Sequence, residues 1–308
     1  MADMNKAFID FDDEIKLTKS RKDKIFVSRN AVRDKIRNFF SEELKVNQPK
    51  FKTQGSFTIN TALNPIGDNE VDTDDGVYLQ HIAETDTWPT PEEAHQLIID
   101  ALKGHTYDGC ENKASCIRVI YRNFYHLDLP VYIMKDNCAY LAQTKLNKWE
   151  HSDSKDFKDW FYKNRTDEQA SRIVRYLKAW RDYRKFGFSS IELTILAIEC
   201  FSYQEKRDDI ALLYTLSNIK SRISTGIIKK PVSPFEDLWA DLSSVEKEKR
   251  RRQLQSLYDD IGNAINNKSE YRASLLLREQ FGERFPLIED KTEISIPTYN
   301  KGAQPWGF

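Results

Sequence analysis

Apolar residues recur at helical spacing through the first 45 residues of the chain. Ile25, Val32, Ile36 and Phe39 fall on one face of a helix, and most positions between them are charged. The pattern predicts one amphipathic helix over this stretch. Pro49, which cannot continue a helix, predicts that it has ended by that point.

From about residue 51 to residue 140 the pattern changes, and runs rich in Val, Ile, Tyr and Phe indicate strands. The predicted strands are Val71–Leu79, Cys116–Tyr121 and Phe124–Ile133. A helix interrupts them, because Thr90-Pro91-Glu92-Glu93 combines an N-cap threonine, a first-turn proline and a capping-box glutamate. Gly104 predicts where this helix stops.

Helical periodicity dominates from about residue 166 onward. The predicted helices run to Gly187, from Ser189 through Phe201, and over Glu205–Lys220, Phe235–Ala264 and Ser269–Phe281. The residues from Ile296 onward are predicted to form an irregular tail. A helix, a mixed core and then a run of helices predict an α+β fold rather than a doubly wound sheet, with one part over residues 1–165 and a helical part over 166–308.

Composition narrows the class of protein. The chain has 308 residues, 40% of them apolar and 31% charged, which is typical of a globular protein. A net charge of −1 gives no global attraction to nucleic acid or to an anionic membrane, and the basic run Lys249–Arg252 lies among glutamates, so we expect a solvated helix face there. The four cysteines and five histidines lack zinc-type spacing, and no signal-peptide or membrane-spanning run occurs, so we expect a cytoplasmic protein with reduced thiols.

Three aspartates carry most of the chemical information. Asp72 and Asp74 stand at i and i+2 of a predicted strand, so they share a face, with Cα atoms roughly 6.5–7 Å apart. Carboxylates at that separation can share two Mg²⁺ ions. Asp128, in another predicted strand, could supply a third ligand. Taken singly, Asp72–Gly76 also suits a solvated turn or a weak calcium loop, and Asp128 suits a surface acid at a strand end.

The dipeptide Gly55-Ser56 comes shortly before this carboxylate strand. A glycine lets the backbone approach a phosphate closely, and the serine adds a hydroxyl donor. Alone, Gly-Ser is also a common loop dipeptide.

Together with their neighbours, these motifs resemble the bacterial cyclic-oligonucleotide synthases of the CD-NTase family, which are relatives of animal cyclic GMP–AMP synthase. The resemblance is carried by these segments: Gln54-Gly55-Ser56-Phe57, Val71–Tyr78, Cys116-Ile117-Arg118, His126–Tyr132, Lys178-Ala179-Trp180-Arg181-Asp182 and Ser189-Ser190-Ile191. It covers about residues 19–200 and is best to the branch that contains bacterial cyclic GMP–AMP synthases. It implies a polymerase-β-like nucleotidyltransferase core with a C-terminal helical domain.

The resemblance further implies a Mg²⁺-dependent enzyme that joins two nucleoside triphosphates into a cyclic dinucleotide and releases pyrophosphate. Asp72 and Asp74 would bind both Mg²⁺ ions, and Asp128 would bind the catalytic ion beside the acceptor hydroxyl. Mn²⁺ is expected to substitute for Mg²⁺.

Four residues are implied to hold the donor triphosphate, namely Gly55, Ser56, Lys178 and Ser190. Lys178 would place a cation near the phosphates, and Ser190 would lie at a helix N-terminus, where anions are favoured. From the residues alone, a solvated helix lysine and an ordinary helix cap remain alternatives.

Ser152 and Asp153 occupy the region that contacts a base in the family. Ser154 stands where the family usually has a proline. A helix N-cap ahead of Phe157 accounts for the same residues equally well.

The implied substrates are ATP and/or GTP, and the implied product activates a downstream effector in anti-phage signalling. In some members a partner conjugates the C-terminus of the synthase, but this chain ends in Gly307-Phe308 rather than in glycine. We expect no stable nucleic-acid partner and no membrane contact. Two alternatives stay open: a nucleotidyltransferase that acts linearly on RNA or on a protein, and a catalytically inactive nucleotide-binding regulator.

Overall fold

The computed structural model describes residues 1–67, 71–80, 82, 87–121, 125–152 and 154–290. Its helices are α1 (Asn5–Ile15), α2 (Lys19–Asn38), α3 (Gly55–Thr58), α4 (Pro91–Ala101), α5 (Ser154–Asn164), α6 (Glu168–Arg184), α7 (Ser190–Glu199), α8 (Asp208–Arg222), α9 (Ser244–Asn266) and α10 (Glu270–Phe281). Its strands are β1 (Lys50–Thr53), β2 (Val71–Leu79), β3 (Cys110–Asn112), β4 (Ile117–Tyr121), β5 (Tyr125–Leu129), β6 (Val131–Lys135), β7 (Cys138–Gln143) and β8 (Lys148–His151). A π-helical turn (Phe39–Glu43) continues α2, and a 3-10 turn (Ile223–Thr225) continues α8. None of the helices in these ranges combines the length and the apolar character needed to cross a membrane.

Strand β2 organises a mixed sheet with the order β3-β4-β5-β2-β6-β7-β8, and β1 also pairs with β2. Asp74 lies opposite Asp128 of β5 and Val77 lies opposite Val131 of β6, so β2 runs parallel to both strands in one continuous register. Pro130 separates β5 from β6 because it has no N–H for a sheet ladder. The predicted α+β class is confirmed by this mixed sheet and the helices that follow it.

Side chains alternate across β2, so its two faces have different roles. Val77 is buried in a core that α2 and α4 form on one face of the sheet. Asp75 is also on this face, where its buried carboxylate pairs with Arg33 of α2, 2.5 Å from Nη2 to Oδ1. Asp72 and Asp74 therefore point to the opposite face, away from this core.

A second hydrophobic core joins α1 to the C-terminal helices. Trp180 and Trp239 are fully buried in it. From α1, the rings of Phe8 and Phe11 lie 5.1 and 5.9 Å from that of Tyr176 on α6. The division into residues 1–165 and 166–308 stays a prediction. The packing adds that α1 shares its core with the helical part.

The N-terminal stretch is not the single helix that its periodicity predicted. α1 ends at Ile15, and α2 begins at Lys19 after the N-cap Thr18, whose hydroxyl accepts a hydrogen bond from the Arg21 N–H. The apolar face of α1 packs on the helical core, whereas that of α2 packs on the sheet. The break between α1 and α2 lets the two helices pack in different cores.

The prediction for the ninth helix was wrong in extent. α9 begins at Ser244 rather than at Phe235, because Ser243 caps it in a capping box with Glu246. Within α9, Arg250 is not on a solvated face, since it is largely buried and pairs with Glu192 of α7.

The strand predictions were incomplete. Phe124 lies outside the described residues, and the rest of the predicted run Phe124–Ile133 is divided at Pro130 into β5 and β6. Strands β1, β3, β7 and β8 were not predicted, because they are short and carry no clear alternation.

Candidate active site

Three carboxylates meet on the open face of the sheet. Asp74 and Asp128 are register partners in the parallel pair of β2 and β5. Asp72 lies two residues before Asp74 and shares its face. All three line one cavity of about 440 Å³. The spacing of the carboxylates along the strands thus places them together as predicted.

The surroundings of the Asp74 carboxyl group disfavour its ionised form. Burial, together with the negative charges of Asp128 and Asp72, raises its pKa to about 7, and the nearby guanidinium of Arg118 acts in the opposite direction. Ionising an acid in such surroundings is costly unless a cation is close.

Arg118 supplies the positive charge that this acidic cluster contacts in the structure. It lies opposite Asp128 in the antiparallel pair of β4 and β5. Its Nε and Nη2 donate to Oδ1 and Oδ2 of Asp128 at 2.8 and 2.7 Å, and Nη2 lies 3.4 Å from Oδ1 of Asp72. These bonds raise the pKa of Arg118 above its ordinary value.

Whether this cluster suits a metal depends on its donors and their arrangement. Among the residues that the structure describes, no three His, Cys, Asp or Glu side chains form a ready metal-binding set. The donors themselves suit Mg²⁺, since they are carboxylates on adjacent strands and Asp72 is 67% exposed at its side chain. Asp72, Asp74 and Asp128 would hold the ion, and Asp128 would share its oxygens between the ion and Arg118.

The turn that carries Gly55 packs directly on the carboxylates. Gly55 opens the one-turn helix α3 with φ of +64°, and a Cβ atom built there would lie 2.1 Å from Oδ2 of Asp74. The carbonyl of Ser56 accepts a hydrogen bond from the Thr61 N–H at 2.9 Å, which closes the turn. The absence of a Cβ atom at Gly55 therefore lets the turn pack directly against the Asp74 carboxylate.

The side chain of Gln54 holds this turn against the sheet. Its side chain is buried, and its Nε2 donates to the hydroxyl of Tyr78 at 3.3 Å while its Oε1 accepts from the hydroxyl of Tyr132 at 3.1 Å. The two tyrosine rings stack with centroids 4.7 Å apart. The Gln54 N–H also donates to the Asp74 carbonyl at 2.9 Å, so the turn is tied to β2, which carries Asp72 and Asp74, and to β6.

Lys178 is not the solvated helix lysine that the residues alone allowed. It is buried on α6, and its ammonium donates to Oγ1 of Thr61 at 2.9 Å. Burial, and next the positive charge of Arg181, lowers its pKa to about 7. Ser190 is exposed at the first turn of α7, where its hydroxyl accepts a hydrogen bond from Arg181 at 2.9 Å. The N-cap itself is Ser189.

The described site residues come together as the motifs predicted, and Asp153 lies outside the described residues. The 440 Å³ cavity is lined by Gly55, Ser56, Asp72, Asp74, Asp128, Ser152, Lys178 and Ser190.

Four further residues at or beside this site were not found from the sequence, namely Gln54, Arg118, Arg181 and Lys230. Gln54 and Arg181 stand inside the motifs that carry the family resemblance. Arg118 also stands inside one of these motifs, but its contact with Asp128 depends on the pairing of β4 with β5. Lys230 lies in a loop outside the motifs, so the sequence gives no signal for it.

With this geometry in place, comparison with known proteins is informative. The model of the family described as "Cyclic GMP-AMP synthase DncV-like, nucleotidyltransferase domain" matches residues 49–132. This stretch includes β2, β5 and the Gly55 turn. Residues 49–132 are similar to the DncV-like nucleotidyltransferases. The resemblance to the bacterial cyclic-oligonucleotide synthases is thereby confirmed.

Two curated proteins are similar to this chain over most of its length. A cyclic GMP-AMP synthase of Escherichia coli is 26% identical over 298 residues, which cover 77% of this chain and 68% of that protein. A c-di-GMP synthase of Roseivirga ehrenbergii is 23% identical over 274 residues, which cover 74% of this chain and 71% of that protein.

Solved structures of Vibrio cholerae DncV share the fold. The apo form has a TM-score of 0.78 at 19% identity, covering 92% of this chain and 96% of that one. The complex with the linear intermediate pppA(3′,5′)pG has a TM-score of 0.76 at 21% identity, covering 89% and 93%. The similarity extends through the C-terminal helices, so the predicted polymerase-β-like core with a helical part is confirmed.

Proposed function

We propose that this chain is a nucleotidyltransferase that makes a cyclic dinucleotide second messenger from two nucleoside triphosphates, ATP and/or GTP, with release of pyrophosphate. One observation carries the proposal. The parallel register of β2 and β5 places Asp72, Asp74 and Asp128 in the same cavity as Gly55 and Lys178. Carboxylates that suit cations thus face groups that suit phosphates, which is the arrangement that nucleotidyl transfer needs.

The reaction follows from this arrangement. The donor triphosphate binds along the Gly55-Ser56 turn, Lys178 and Ser190, so that its α-phosphate faces the carboxylates. The acceptor 3′-hydroxyl attacks in line, Asp128 takes up its proton, and pyrophosphate leaves on the side of Lys178. A second round closes the ring. Bound Mg²⁺, which Mn²⁺ can replace, would lower the pKa of the hydroxyl and neutralise charge on the leaving group.

The proposal extends to the cellular location of the enzyme and to the role of its product. Nucleoside triphosphates are cytoplasmic substrates, so we place the enzyme in the cytoplasm. We further propose a downstream effector that responds to the product in anti-phage signalling. The relatives named as cyclic GMP-AMP synthase and c-di-GMP synthase support the product class. Ser152 and Asp153 are the proposed contacts to a base.

The test is incubation of the protein with all four nucleoside triphosphates and Mg²⁺ or Mn²⁺. Phosphatase treatment followed by mass spectrometry should show a resistant product with the mass of a cyclic dinucleotide, and a 3′-5′-specific nuclease should open it. Asp128→Asn is the inactive control. Extension of an RNA primer or transfer of a nucleotide to protein would favour the linear enzyme instead. Tight nucleotide binding without any product would favour the inactive regulator.

A further inference from the structure

One wall of the active-site cavity is used neither by the carboxylates nor by the phosphate-binding residues. Here the loop of residues 229–237 meets the end of β8 and the first turn of α5, and the wall is lined by Ser152, Ser154, Phe157 and Lys230. A nucleotide that places its phosphates against the Gly55 turn and Lys178 carries its base away from them. This wall is therefore where a nucleoside would lie, provided that the proposed function holds.

The base of the 229–237 loop is firmly held. The Lys230 N–H donates to the Glu236 carbonyl at 2.8 Å, and the N–H of Ile228 donates to Oδ1 of Asp237 at 2.9 Å. Ile228 is fully buried in the helical core. These contacts fix the backbone from which the Lys230 side chain extends.

The tip and the far end of the loop are held as well. Oγ of Ser233 lies 2.8 Å from Nδ1 of His151, the last residue of β8 and the neighbour of Ser152. Beyond the loop, the buried indole of Trp239 donates to Oε1 of Glu192 at 2.6 Å. The loop is thus tied to the same strand end that brings Ser152 into the cavity, and its shape is set before a nucleotide binds.

Lys230 carries a cation into this wall without a strong partner. Its side chain is 15% exposed, and its ammonium lies 3.8 Å from a carboxylate oxygen of Glu236, which is itself 56% exposed. In the described part of the chain, the ammonium makes no side-chain hydrogen bond. An ammonium carries three donor hydrogens, so this one has capacity for a ligand beside its distant pair with Glu236.

We propose that Lys230 selects the base of the nucleotide bound in this cavity, and that it favours a base with a carbonyl acceptor, guanine among the purines. A lysine ammonium donates hydrogen bonds and cannot accept them. Both purines present N7 as an acceptor, but at position 6 guanine presents the O6 acceptor where adenine presents an N6 amino group that donates. The discriminating contact is therefore the one at position 6. The same ammonium therefore stabilises guanine and leaves adenine with an unfavourable donor-to-donor contact.

The experiment measures binding rather than turnover, with α,β-methylene analogues of GTP and ATP, whose bridging carbon blocks transfer. Isothermal titration calorimetry on the full chain should show tighter binding of the GTP analogue. Lys230→Met should reduce this preference by about tenfold, mainly through weaker binding of the GTP analogue. Lys230→Arg should keep the preference. Lys229→Met is the matched control, because Lys229 is exposed in the same loop and does not line the cavity.

Competing nucleotides identify the atom that is recognised. Inosine triphosphate, which keeps O6, should compete as well as GTP for the wild type. The triphosphate of 2-aminopurine riboside, which lacks O6, should compete more weakly than GTP for the wild type. For Lys230→Met, it should compete as well as GTP. UTP, with its carbonyl O4, shows whether a pyrimidine satisfies the same contact. If Lys230→Met weakens both analogues equally, or changes neither, the inference is wrong. Product formation is assayed separately, so an enzyme that makes a cyclic dinucleotide with an unchanged preference would refute only the role of Lys230.

Discussion

At the scale of single residues, Gly55 is the position where the smallest change should have the largest effect. Gly55→Ala would place a Cβ atom 2.1 Å from Oδ2 of Asp74 and would also hold an L side chain at φ of +64°. We expect nucleotide transfer to fall at least about tenfold, because the turn and the carboxylate must move apart, a misplacement of the kind that geometry-dependent steps do not tolerate.

Gly67 offers a matched control for that change. It has a similar φ of +58°, but among the described residues a Cβ atom there has nothing within 4 Å. Gly67→Ala therefore carries the backbone strain without the collision, and it should leave the rate nearly unchanged. Initial rates of pyrophosphate release compare the two variants. Equal losses in both would mean that strain alone, and not the contact with Asp74, explains the requirement for glycine.

Substitutions on the two faces of β2 should have different effects, on catalysis on one face and on stability on the other. Asp72→Ala combined with Asp74→Ala should abolish nucleotide transfer and preserve the fold, because both side chains line the cavity. Asp75→Asn should do the reverse, since Asp75 pairs with Arg33 in the core and its loss leaves a buried charge unpaired, at a cost of about 3–5 kcal/mol. Urea unfolding and product assays on both proteins distinguish the roles. Near wild-type product from the double variant would remove this site from consideration.

Lys178 should give donor binding a pH dependence. Its pKa is lowered to about 7, so in the free protein the ammonium is present below pH 7 and is lost as the pH rises above it. The donor triphosphate binds the charged form, so KM should rise between pH 7 and pH 9. At pH 7, Lys178→Ala should raise KM by roughly tenfold or more, as expected for a charge-assisted contact.

The control for this profile is Lys178→Arg, whose guanidinium stays charged over the same range. Its KM should change with pH only as the nucleotide itself does. If the wild type and Lys178→Arg give parallel profiles, the ammonium does not carry the contact with the triphosphate.

At the scale of secondary-structure elements, the sequence predicts a residue well when one element determines its place. Asp72 and Asp74 were predictable because strand alternation alone puts them on one face. Arg118 was not, because it reaches Asp128 only through the register of β4 against β5, which no local pattern encodes. Lys230 was hidden for a related reason: part of its loop had been assigned to a helix beginning at Phe235, whereas the capping box at Ser243 sets the true start.

The pairing of β4 with β5 leads to a prediction about metal binding. Because Arg118 donates two hydrogen bonds to Asp128, it competes with a cation for the same oxygens. Arg118→Ala should therefore tighten Mn²⁺ binding in the absence of nucleotide, by roughly tenfold if a charge-assisted contact is lost. Electron paramagnetic resonance of free Mn²⁺ measures this directly. Arg118→Lys, which keeps the charge, should stay near the wild type, and unchanged binding in Arg118→Ala would show that the arginine does not compete.

At the scale of the whole molecule, a buried arginine links the helical core to the turn that carries Gly55. Arg175 of α6 pairs through Nε with Oδ1 of Asp12 on α1 at 2.6 Å, and its Nη1 donates to the Asn60 carbonyl at 2.7 Å. Asn60 precedes Thr61, which accepts the hydrogen bond from Lys178. The N-terminal helix, the helical core and the turn that carries Gly55 are thus joined by consecutive contacts. This long-range link could not be read from the sequence, because its partners are separated by more than 100 residues.

This link predicts that a change on α1 destabilises the molecule and perturbs the site. Asp12→Ala leaves the Arg175 guanidinium buried without its carboxylate, so the free energy of unfolding should fall by about 3–5 kcal/mol. Asp10→Ala is the control, because Asp10 lies two residues away in an exposed pair with Lys6 and should cost less than about 1 kcal/mol. Urea denaturation measures the free energy of unfolding of both variants.

Because Arg175 also holds the Asn60 carbonyl, Asp12→Ala should raise KM for the donor nucleotide even where the protein remains folded, whereas Asp10→Ala should not. A destabilised Asp12→Ala protein with unchanged KM would show that the buried pair stabilises the helical core alone and does not position the phosphate-binding turn.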